Sequence, residues 1–212
     1  MAIIVVQSLL GGRKLDRVLK LVCRMLPAVF GVTVRVRGTW RFDRKSTFLF
    51  MGNHVNIFDP LVMFGEIPNF VRAIELEDHF SWPVWGAMVR RLGNIPISHT
   101  NPRQAVRSLA LAGEALARGT SIGILPEGHR TRDGELGHFM RGPFRLALKA
   151  GVDIIPMAML GAYERKNVHS PVVHPGRMDL VFGSPIRYAE FRHMSDTELR
   201  DLVRDAVLDL MK

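Results

Sequence analysis

The sequence predicts an α/β fold in which a mixed, largely parallel sheet is flanked by helices. Apolar segments of strand length alternate along the chain with segments whose apolar residues recur at helical spacing. The Gly- and Pro-rich stretches at 126–142 and 171–185 are typical of loops rather than of linkers. Because strands and helices alternate, we expect the helices to cover the faces of the sheet.

The predicted strands are short and rich in apolar residues. VTVRVRG at 32–38 alternates apolar and polar residues, whereas FLFMGN at 48–53 and TSIGILP at 120–126 are almost wholly apolar, as buried strands are. The other predicted strands are 70–76, 94–98, 152–160 and 177–183.

The predicted helices carry signals at their ends. Asn101 can cap a helix that has Pro102 at its first position, and Ser195 with Glu198 forms a capping box for the last helix. Two further predicted helices, each ending on a glycine, are 82–93 and 142–151.

The first predicted helix, at 13–30, is amphipathic. Its apolar residues follow the spacing of one helix face: Leu15, Val18, Leu19, Val22, Met25, Leu26 and Val29. Its basic residues occupy other angles: Arg13, Lys14, Arg17, Lys20 and Arg24. Such a helix suits the interface of an anionic membrane, and packing on the protein's own core is the alternative.

Composition and charge narrow the classes of partner. Lys+Arg 29 against Asp+Glu 20 gives a net charge of +9, which attracts nucleic acid, anionic membranes or phosphorylated substrates. The basic residues are spread along the chain and match no nucleic-acid-binding motif, so we expect no nucleic-acid partner. No segment approaches the roughly 20 apolar residues of a membrane span. The single cysteine, Cys23, excludes a disulfide framework and reads as a core or lipid-facing residue.

Two predicted buried strands end in polar residues, where α/β proteins often place their sites. One end reads GNHVNIFDP at 52–60, with a histidine and an aspartate five positions apart. The other reads ILPEGHRTRDGELG at 124–137, with a carboxylate and arginines that match phosphate oxygens. The alternative for the His54–Asp59 pair is a structural hydrogen bond, and the alternative for the second loop is a solvated turn. We expect Asn53 and Asn56 to satisfy the backbone of the first turn.

Competing catalytic signatures are missing from the sequence. It contains no G-x-S-x-G, G-x-x-x-x-G-K-[ST], G-x-G-x-x-G or H-E-x-x-H. A histidine base with a carboxylate partner and a cationic loop remains, and this set suits deprotonating a hydroxyl near an anionic substrate. We expect neither a metal nor a cofactor.

These motifs resemble those of the glycerolipid acyltransferases related to 1-acylglycerol-3-phosphate acyltransferase. NHVNIFD resembles the family's N-H-x-x-x-x-D signature, and LPEGHRT is similar to its F-P-E-G-T-R-S block. IIPMAM and GRMDLVFGSPI resemble its later blocks, so the likeness covers roughly residues 45–190. We therefore expect an N-terminal amphipathic membrane-associating helical segment at 1–31, from its residue pattern, and an α/β acyltransferase domain at 32–212, from the resemblance.

The resemblance also implies roles for individual residues. His54 is the expected general base, and Asp59 is expected to orient the imidazole. Glu127 and Arg130 are expected to hold the acceptor headgroup, with the Gly128 amide close by. The acceptor oxygen would attack the thioester directly, which agrees with a chain that lacks a convincing nucleophile.

The chain departs from the family pattern where the acceptor is expected to bind. His99 stands where an arginine is expected, and His129 replaces a threonine, so both join the expected acceptor contacts. A mostly neutral imidazole binds phosphate less well than a permanent cation. The departures leave a lyso-aminolipid acceptor open, and Arg90, Arg91 or Arg103 could instead compensate.

We therefore expect an O-acyltransferase that moves a fatty acyl group from acyl-CoA or acyl carrier protein to a lysolipid hydroxyl. A 1-acylglycerol-3-phosphate-type acceptor of phospholipid biosynthesis is the first choice, and a non-catalytic lipid-binding protein is the alternative of a different class. The expected location is the cytoplasmic face of the cell membrane, as a peripheral or monotopic protein. The apolar run at 60–70 could guide acyl chains toward His54 or be ordinary core.

Overall fold

The computed structural model describes residues 11–38, 42–98 and 100–212. Its strands are β1 (Val32–Arg37), β2 (Leu49–Gly52), β3 (Val71–Leu76), β4 (Ile95–Ile97), β5 (Ser121–Ile124), β6 (Ile154–Leu160) and β7 (Gly176–Phe182). Its helices are α1 (Gly11–Val29), α2 (Asp59–Glu66), α3 (Trp85–Leu92), α4 (Pro102–Ala117), α5 (Gly142–Ala150), α6 (Ala162–Arg165), α7 (Tyr188–Phe191) and α8 (Asp196–Met211). A 3₁₀ helix at Glu77–Ser81 joins β3 to the segment before α3.

The described strands form one sheet in the order β1-β7-β6-β2-β5-β3-β4. Five neighbours, β6, β2, β5, β3 and β4, run parallel to one another. β7 lies antiparallel to β6, and β1 pairs in parallel with β7. The sheet is mixed and largely parallel, as predicted.

Helices cover both faces of the sheet, and each face has its own apolar core. On one face, α1 and α2 pack over Phe50, Ile155 and Leu180. On the other, α4, α5 and α8 pack over Leu49 and Ile122. Because successive strand residues point to opposite faces, a continuously apolar strand such as β2 feeds both cores.

The predicted end signals are confirmed. The Asn101 side chain accepts the backbone N–H of Gln104 at the start of α4. Ser195 and Glu198 form the reciprocal capping box of α8. Gly93 ends α3 with a φ of 72°, a left-handed conformation that glycine adopts without steric cost.

Helix α1 packs one stripe on the protein and exposes another. Cys23 is fully buried, and Leu19 and Leu26 are partly buried against the same core. The exposed apolar residues, which we call the α1 stripe, are Val18, Leu21, Val22, Met25, Val29 and Phe30. No helix in the described part of the chain is both long and apolar enough to cross a bilayer. Membrane association stays a prediction, and residues 1–10 lie outside the described residues.

The expectation that the basic residues of α1 form one free polar face is wrong in part, because Lys20 and Arg24 bind other residues of the protein. Lys20 Nζ donates to the carbonyl oxygens of Ile67 and Asn69, at 2.7 and 2.6 Å. Arg24 pairs with Glu66 at 3.3 Å. These contacts tie α1 to the end of α2, where unpaired helix carbonyls need donors.

Candidate active site

The two polar loops come together because β2 and β5 are parallel neighbours. Residues 53–58 follow β2 and residues 125–141 follow β5, so both loops leave the same edge of the sheet. The loop after β6, the other neighbour of β2, joins them there. This edge is the place where α/β sheets offer a crevice for ligands.

His54 and Asp59 form a directly hydrogen-bonded pair. Nδ1 of His54 lies 2.8 Å from Oδ2 of Asp59. The same oxygen accepts the backbone N–H groups of Val55 and Asn56, at 2.5 and 2.8 Å. Asp59 is fully buried, whereas the His54 side chain is 20% exposed, so only the imidazole can meet a substrate.

The arrangement defines which histidine nitrogen is free to act. Nδ1 of His54 can donate a hydrogen bond to Oδ2 of Asp59, the oxygen that also accepts the two backbone N–H groups. Nε2 then keeps its lone pair, and it has no hydrogen-bond partner within the described part of the chain. An imidazole held in this way can serve as a general base.

Glu127 joins the two loops through its carboxylate. Its Oε1 accepts the backbone N–H of His54 at 2.7 Å, and its Oε2 accepts that of Gly137 at 3.0 Å. Burial raises the pKa of Glu127, and the two backbone donors oppose that rise. Both oxygens are engaged and the residue is only 2% exposed, so the geometry gives Glu127 a positioning role that we did not expect. Its expected contact with an acceptor headgroup stays a prediction.

Backbone bonds complete the connection between the loops. Thr131 donates its backbone N–H to the carbonyl oxygen of His54 at 2.8 Å. One residue further on, the carbonyl oxygen of Arg132 contacts two side chains from the segment after β6, one in α6 and one in the loop that follows it. Tyr163 donates its hydroxyl to that oxygen at 2.7 Å, and Nε2 of His169 lies 2.8 Å from it. The three loops therefore hold one another in place around His54.

Asn53 and Asn56 satisfy buried backbone, and the prediction that they serve the turn around His54 is confirmed for Asn56, whereas Asn53 binds the backbone of β6. Asn53 exchanges two hydrogen bonds with the backbone of Met159, at 3.1 and 2.7 Å. Asn56 donates to the carbonyl oxygen of Ala162 and accepts the backbone N–H of Phe58. Both asparagines are almost fully buried, so their role is to hold the turn that carries His54.

The cationic residues of the second loop are on the surface and take no part in these internal bonds. Arg130 and His129 are exposed, and Arg130 forms no ion pair or hydrogen bond within the described part of the chain. Arg130 lies next to Thr131, whose backbone binds His54. Gly128 adopts a φ of 73°, and its N–H donates to the carbonyl oxygen of Leu125 at 3.1 Å, which closes the turn.

His99, which we expected among the acceptor contacts, lies outside the described residues. The cations proposed as its substitutes, Arg90, Arg91 and Arg103, are exposed. Arg90 donates to the carbonyl oxygen of Phe80. Their part in acceptor binding stays a prediction.

The apolar run beside the pair is core. Helix α2 begins at Asp59, and four of its apolar residues, Leu61, Val62, Met63 and Phe64, are buried in the core on the α1 side of the sheet. Of the two interpretations left open for residues 60–70, ordinary core is therefore right for α2.

No other described group offers an obvious nucleophile or metal site. Cys23 is buried between α1 and the core, and burial raises the pKa of its thiol to about 11, so a thiolate does not form near neutral pH. Among the described residues, no group of three or more His, Cys, Asp or Glu side chains could hold a metal ion. A cavity of about 350 Å³ lies at the opposite end of β2 and β6, lined by Asp43, Asp153 and Arg187 among others.

Comparison with known proteins identifies a family whose pattern this site matches. The acyltransferase family model matches residues 33–160, which run from β1 to the end of β6 and include both site loops.

Two curated relatives carry specific names. The chain is 28% identical over 141 residues to the chloroplastic 1-acyl-sn-glycerol-3-phosphate acyltransferase LPAT1 of Arabidopsis thaliana, covering 65% of this chain and 39% of that protein. It is 29% identical over 129 residues to the 1-acyl-sn-glycerol-3-phosphate acyltransferase of Borreliella burgdorferi, covering 61% and 52%. The chain therefore spans about two fifths and half of the length of these relatives.

A solved structure shows that the fold is shared. The crystal structure of the 1-acyl-sn-glycerophosphate acyltransferase PlsC from Thermotoga maritima matches with a TM-score of 0.82 at 22% sequence identity. The match covers 94% of this chain and 79% of that one.

Proposed function

The chain belongs to the acyltransferase family, and we propose that it moves a fatty acyl group from an acyl thioester to the hydroxyl of a 1-acylglycerol-3-phosphate-type lysolipid. The observation that carries the proposal is the His54–Asp59 pair, with Nε2 open and the exposed Arg130 three residues after Glu127, which binds the backbone of His54. The names of the curated relatives support this acceptor.

The proposed reaction begins with a proton transfer to His54. Nε2 takes the proton of the acceptor hydroxyl while Asp59 stabilises the imidazolium through Nδ1. The acceptor oxygen attacks the thioester carbonyl carbon, and the carbon–sulfur bond breaks. The leaving thiolate takes the proton back from His54, which returns the site to its starting state. No acyl-enzyme is required.

The second loop would hold the anionic part of the acceptor. Arg130 and Arg132 flank Thr131, whose backbone N–H binds the carbonyl oxygen of His54. Both arginines are therefore direct sequence neighbours of a residue that binds the backbone of His54. Arginine binds phosphate through two parallel hydrogen bonds, which would orient the acceptor as well as attract it.

We also propose that the protein works as a peripheral or monotopic protein at the cytoplasmic face of the cell membrane. The α1 stripe exposes six large apolar side chains, and the ring of Phe30 at its end contacts that of Phe58 of the His54 loop, with centroids 5.8 Å apart. A lysolipid in a bilayer would thus lie near the base when the stripe contacts that bilayer. The free thiol of Cys23 fits a reducing compartment.

The experiment is a panel of donors and acceptors. Purified protein receives a long-chain acyl-CoA or an acyl carrier protein thioester, with 1-acylglycerol-3-phosphate or a lyso-aminolipid as acceptor, and free thiol is measured. We expect 1-acylglycerol-3-phosphate to give the highest kcat/KM. His54→Ala should lower the rate by about 10²–10⁴-fold.

The matched control is His193→Ala, an exposed histidine after α7 whose described hydrogen bond is to Arg192. Its rate should equal that of the wild type. A higher kcat/KM on the lyso-aminolipid would replace the proposed acceptor. Absence of thiol release with every pair would overturn the transferase proposal in favour of a non-catalytic lipid-binding protein.

A further inference from the structure

An exposed apolar segment precedes α3 and takes no part in the site described above. It consists of Trp82, Pro83 and Val84, and we call it the tip. Trp82 is 53% exposed and Val84 is 86% exposed. Large apolar side chains that protrude together are a feature of interaction surfaces.

The backbone of the tip is strained. Val84 has φ 62° and ψ −59°, and the N–H of Trp85 donates to the carbonyl oxygen of Pro83 at 2.6 Å. These values define a γ-turn with positive φ, a rare conformation that is especially unfavourable for a β-branched residue. No other described residue except glycine has a positive φ. Strain of this kind persists where the surrounding structure holds it, and it accompanies functional positions.

The base of the tip is held firmly by buried polar groups. Glu75 Oε1 accepts the indole N–H of Trp85 at 2.6 Å and lies 3.1 Å from Nδ1 of His79. The ring of His79 in turn packs at a tilt against the ring of Trp82, with centroids 4.3 Å apart. Gly86 lets the chain pass Phe80, since a Cβ there would meet its carbonyl oxygen at 2.2 Å. The tip is therefore a rigid protrusion.

The tip lies at the same edge of the sheet as His54. β3 leads through the 3₁₀ helix to the tip, and β3, β5 and β2 are consecutive parallel strands. Their carboxyl ends therefore share one edge. The end of the α1 stripe reaches this edge too, because the ring of Phe30 contacts that of Phe58.

The surroundings of the tip are mostly basic. The exposed cations on the two adjoining helices are Arg90, Arg91, Arg103 and Arg107, and none forms an ion pair within the described part of the chain. α3 follows the tip directly, and α4 touches the 3₁₀ helix through a bond from Gln104 to Glu77. The exposed acids of the 3₁₀ helix and the two adjoining helices are Asp78 and, near the far end of α4, Glu114.

We propose that the tip inserts into the headgroup region of an anionic phospholipid bilayer and forms a second membrane contact beside the α1 stripe. Tryptophan prefers the interface between headgroups and acyl chains, and nearby arginines bind lipid phosphates. Contacts on two sides of the site edge would fix the orientation of His54 toward the bilayer. This inference rests on the proposed lipid acceptor, which explains why the edge would face a membrane.

The direct test places a fluorophore on the tip. Cys23 is buried and its thiol pKa is raised to about 11, so an engineered exposed cysteine can be labelled selectively. Val84→Cys carries an environment-sensitive dye, and Ala117→Cys carries the same dye at the end of α4, which leads into β5 at the opposite edge of the sheet. We expect vesicles of phosphatidylglycerol and phosphatidylcholine to blue-shift the dye at position 84 and leave the dye at 117 unchanged.

Two outcomes of this experiment would overturn the proposal. Vesicles that bind the protein without shifting the dye at position 84 would overturn the proposal while leaving the α1 stripe as the membrane contact. A shift that grows with protein concentration in the absence of lipid would assign the tip to a second copy of the chain. Neither result depends on catalysis, so the failure of the proposed function would be recognised separately.

Two variants test the consequence for turnover. Val84→Gly removes the exposed side chain and relieves the positive φ, so it should fold at least as well as the wild type. Trp82→Ser combined with Val84→Gly should weaken vesicle binding by about tenfold, through lost apolar burial. KM for vesicle-bound acceptor should rise by a similar factor, with the rate on a water-soluble short-chain acceptor unchanged. Equal KM values on vesicles for variant and wild type would contradict the proposal.

Discussion

Nδ1 of His54 lies 2.8 Å from Oδ2 of Asp59, and this one oxygen also accepts the N–H groups of Val55 and Asn56. A single carboxylate atom thus organises both the imidazole and the turn that carries it. The turn is held from its other side by Glu127. Substitutions at these positions should separate effects on chemistry from effects on folding.

Replacing Asp59 with asparagine tests the pair itself. Asp59→Asn keeps the shape of the side chain but removes the charge that stabilises the imidazolium, so kcat should fall by about 10²–10⁴-fold. Thiol release under saturating donor and acceptor measures the effect. Asp209→Asn, which lies near the end of α8 and pairs with Lys212, is the control and should keep the wild-type kcat. An Asp59→Asn variant with wild-type kcat would remove Asp59 from the mechanism.

Glu127→Gln distinguishes positioning from headgroup binding. One of the two backbone N–H groups, from His54 or Gly137, would then face an amide NH₂ instead of an acceptor. The free energy of unfolding should fall by about 1–3 kcal/mol, and kcat should fall more than the acceptor KM changes. Glu135→Gln, an exposed residue of the same loop, is the control. A raised KM at unchanged stability would instead support contact with the headgroup.

Lys20→Met tests whether Lys20 anchors α1. The sequence predicted that this residue would lie on the basic surface of the helix. The substitution leaves the carbonyl oxygens of Ile67 and Asn69 without their donor, so the free energy of unfolding should fall by about 1–3 kcal/mol. Arg17→Met, on the exposed side of α1, should change it by less than about 0.5 kcal/mol. Denaturant unfolding curves measure both. Equal effects would mean that Lys20 does not anchor the helix.

Asp196 provides a pH-dependent test of the contact between α5 and α8. Arg141 and Arg145 donate to its carboxylate and hold the pKa of Asp196 at about 2, below its ordinary value of 3.8. Since the folded state has the lower pKa, the stability from Asp196 is present above pH 3.8 and is lost as pH falls toward about 2. The difference in Tm between wild type and Asp196→Asn should shrink over that range. A difference that stays constant would mean that the ion pairs do not form in solution.

The elements with strong local signals could be predicted closely. Three helix termini depend on bonds between near neighbours in sequence: Asn101 begins α4, the Ser195–Glu198 capping box begins α8, and Gly93 ends α3. Helix α2 has Pro60 near its start as a local signal, but its run of apolar residues lacks helical periodicity and could equally be a buried strand. Its role depends on Asp59, whose side chain bonds to the preceding turn.

The sequence by itself determined the alternation of strands and helices and the pairing of His54 with Asp59, because five residues across one turn keep them within reach. Only the tertiary structure decided which buried polar groups hold that turn. Glu127 reaches His54 across 73 residues and Lys20 reaches Asn69 across 49, and no local pattern encodes such partners. The Glu127 bond arises from the order of strands in the sheet, which places β5 beside β2, and the Lys20 bond arises because α1 packs against the end of α2.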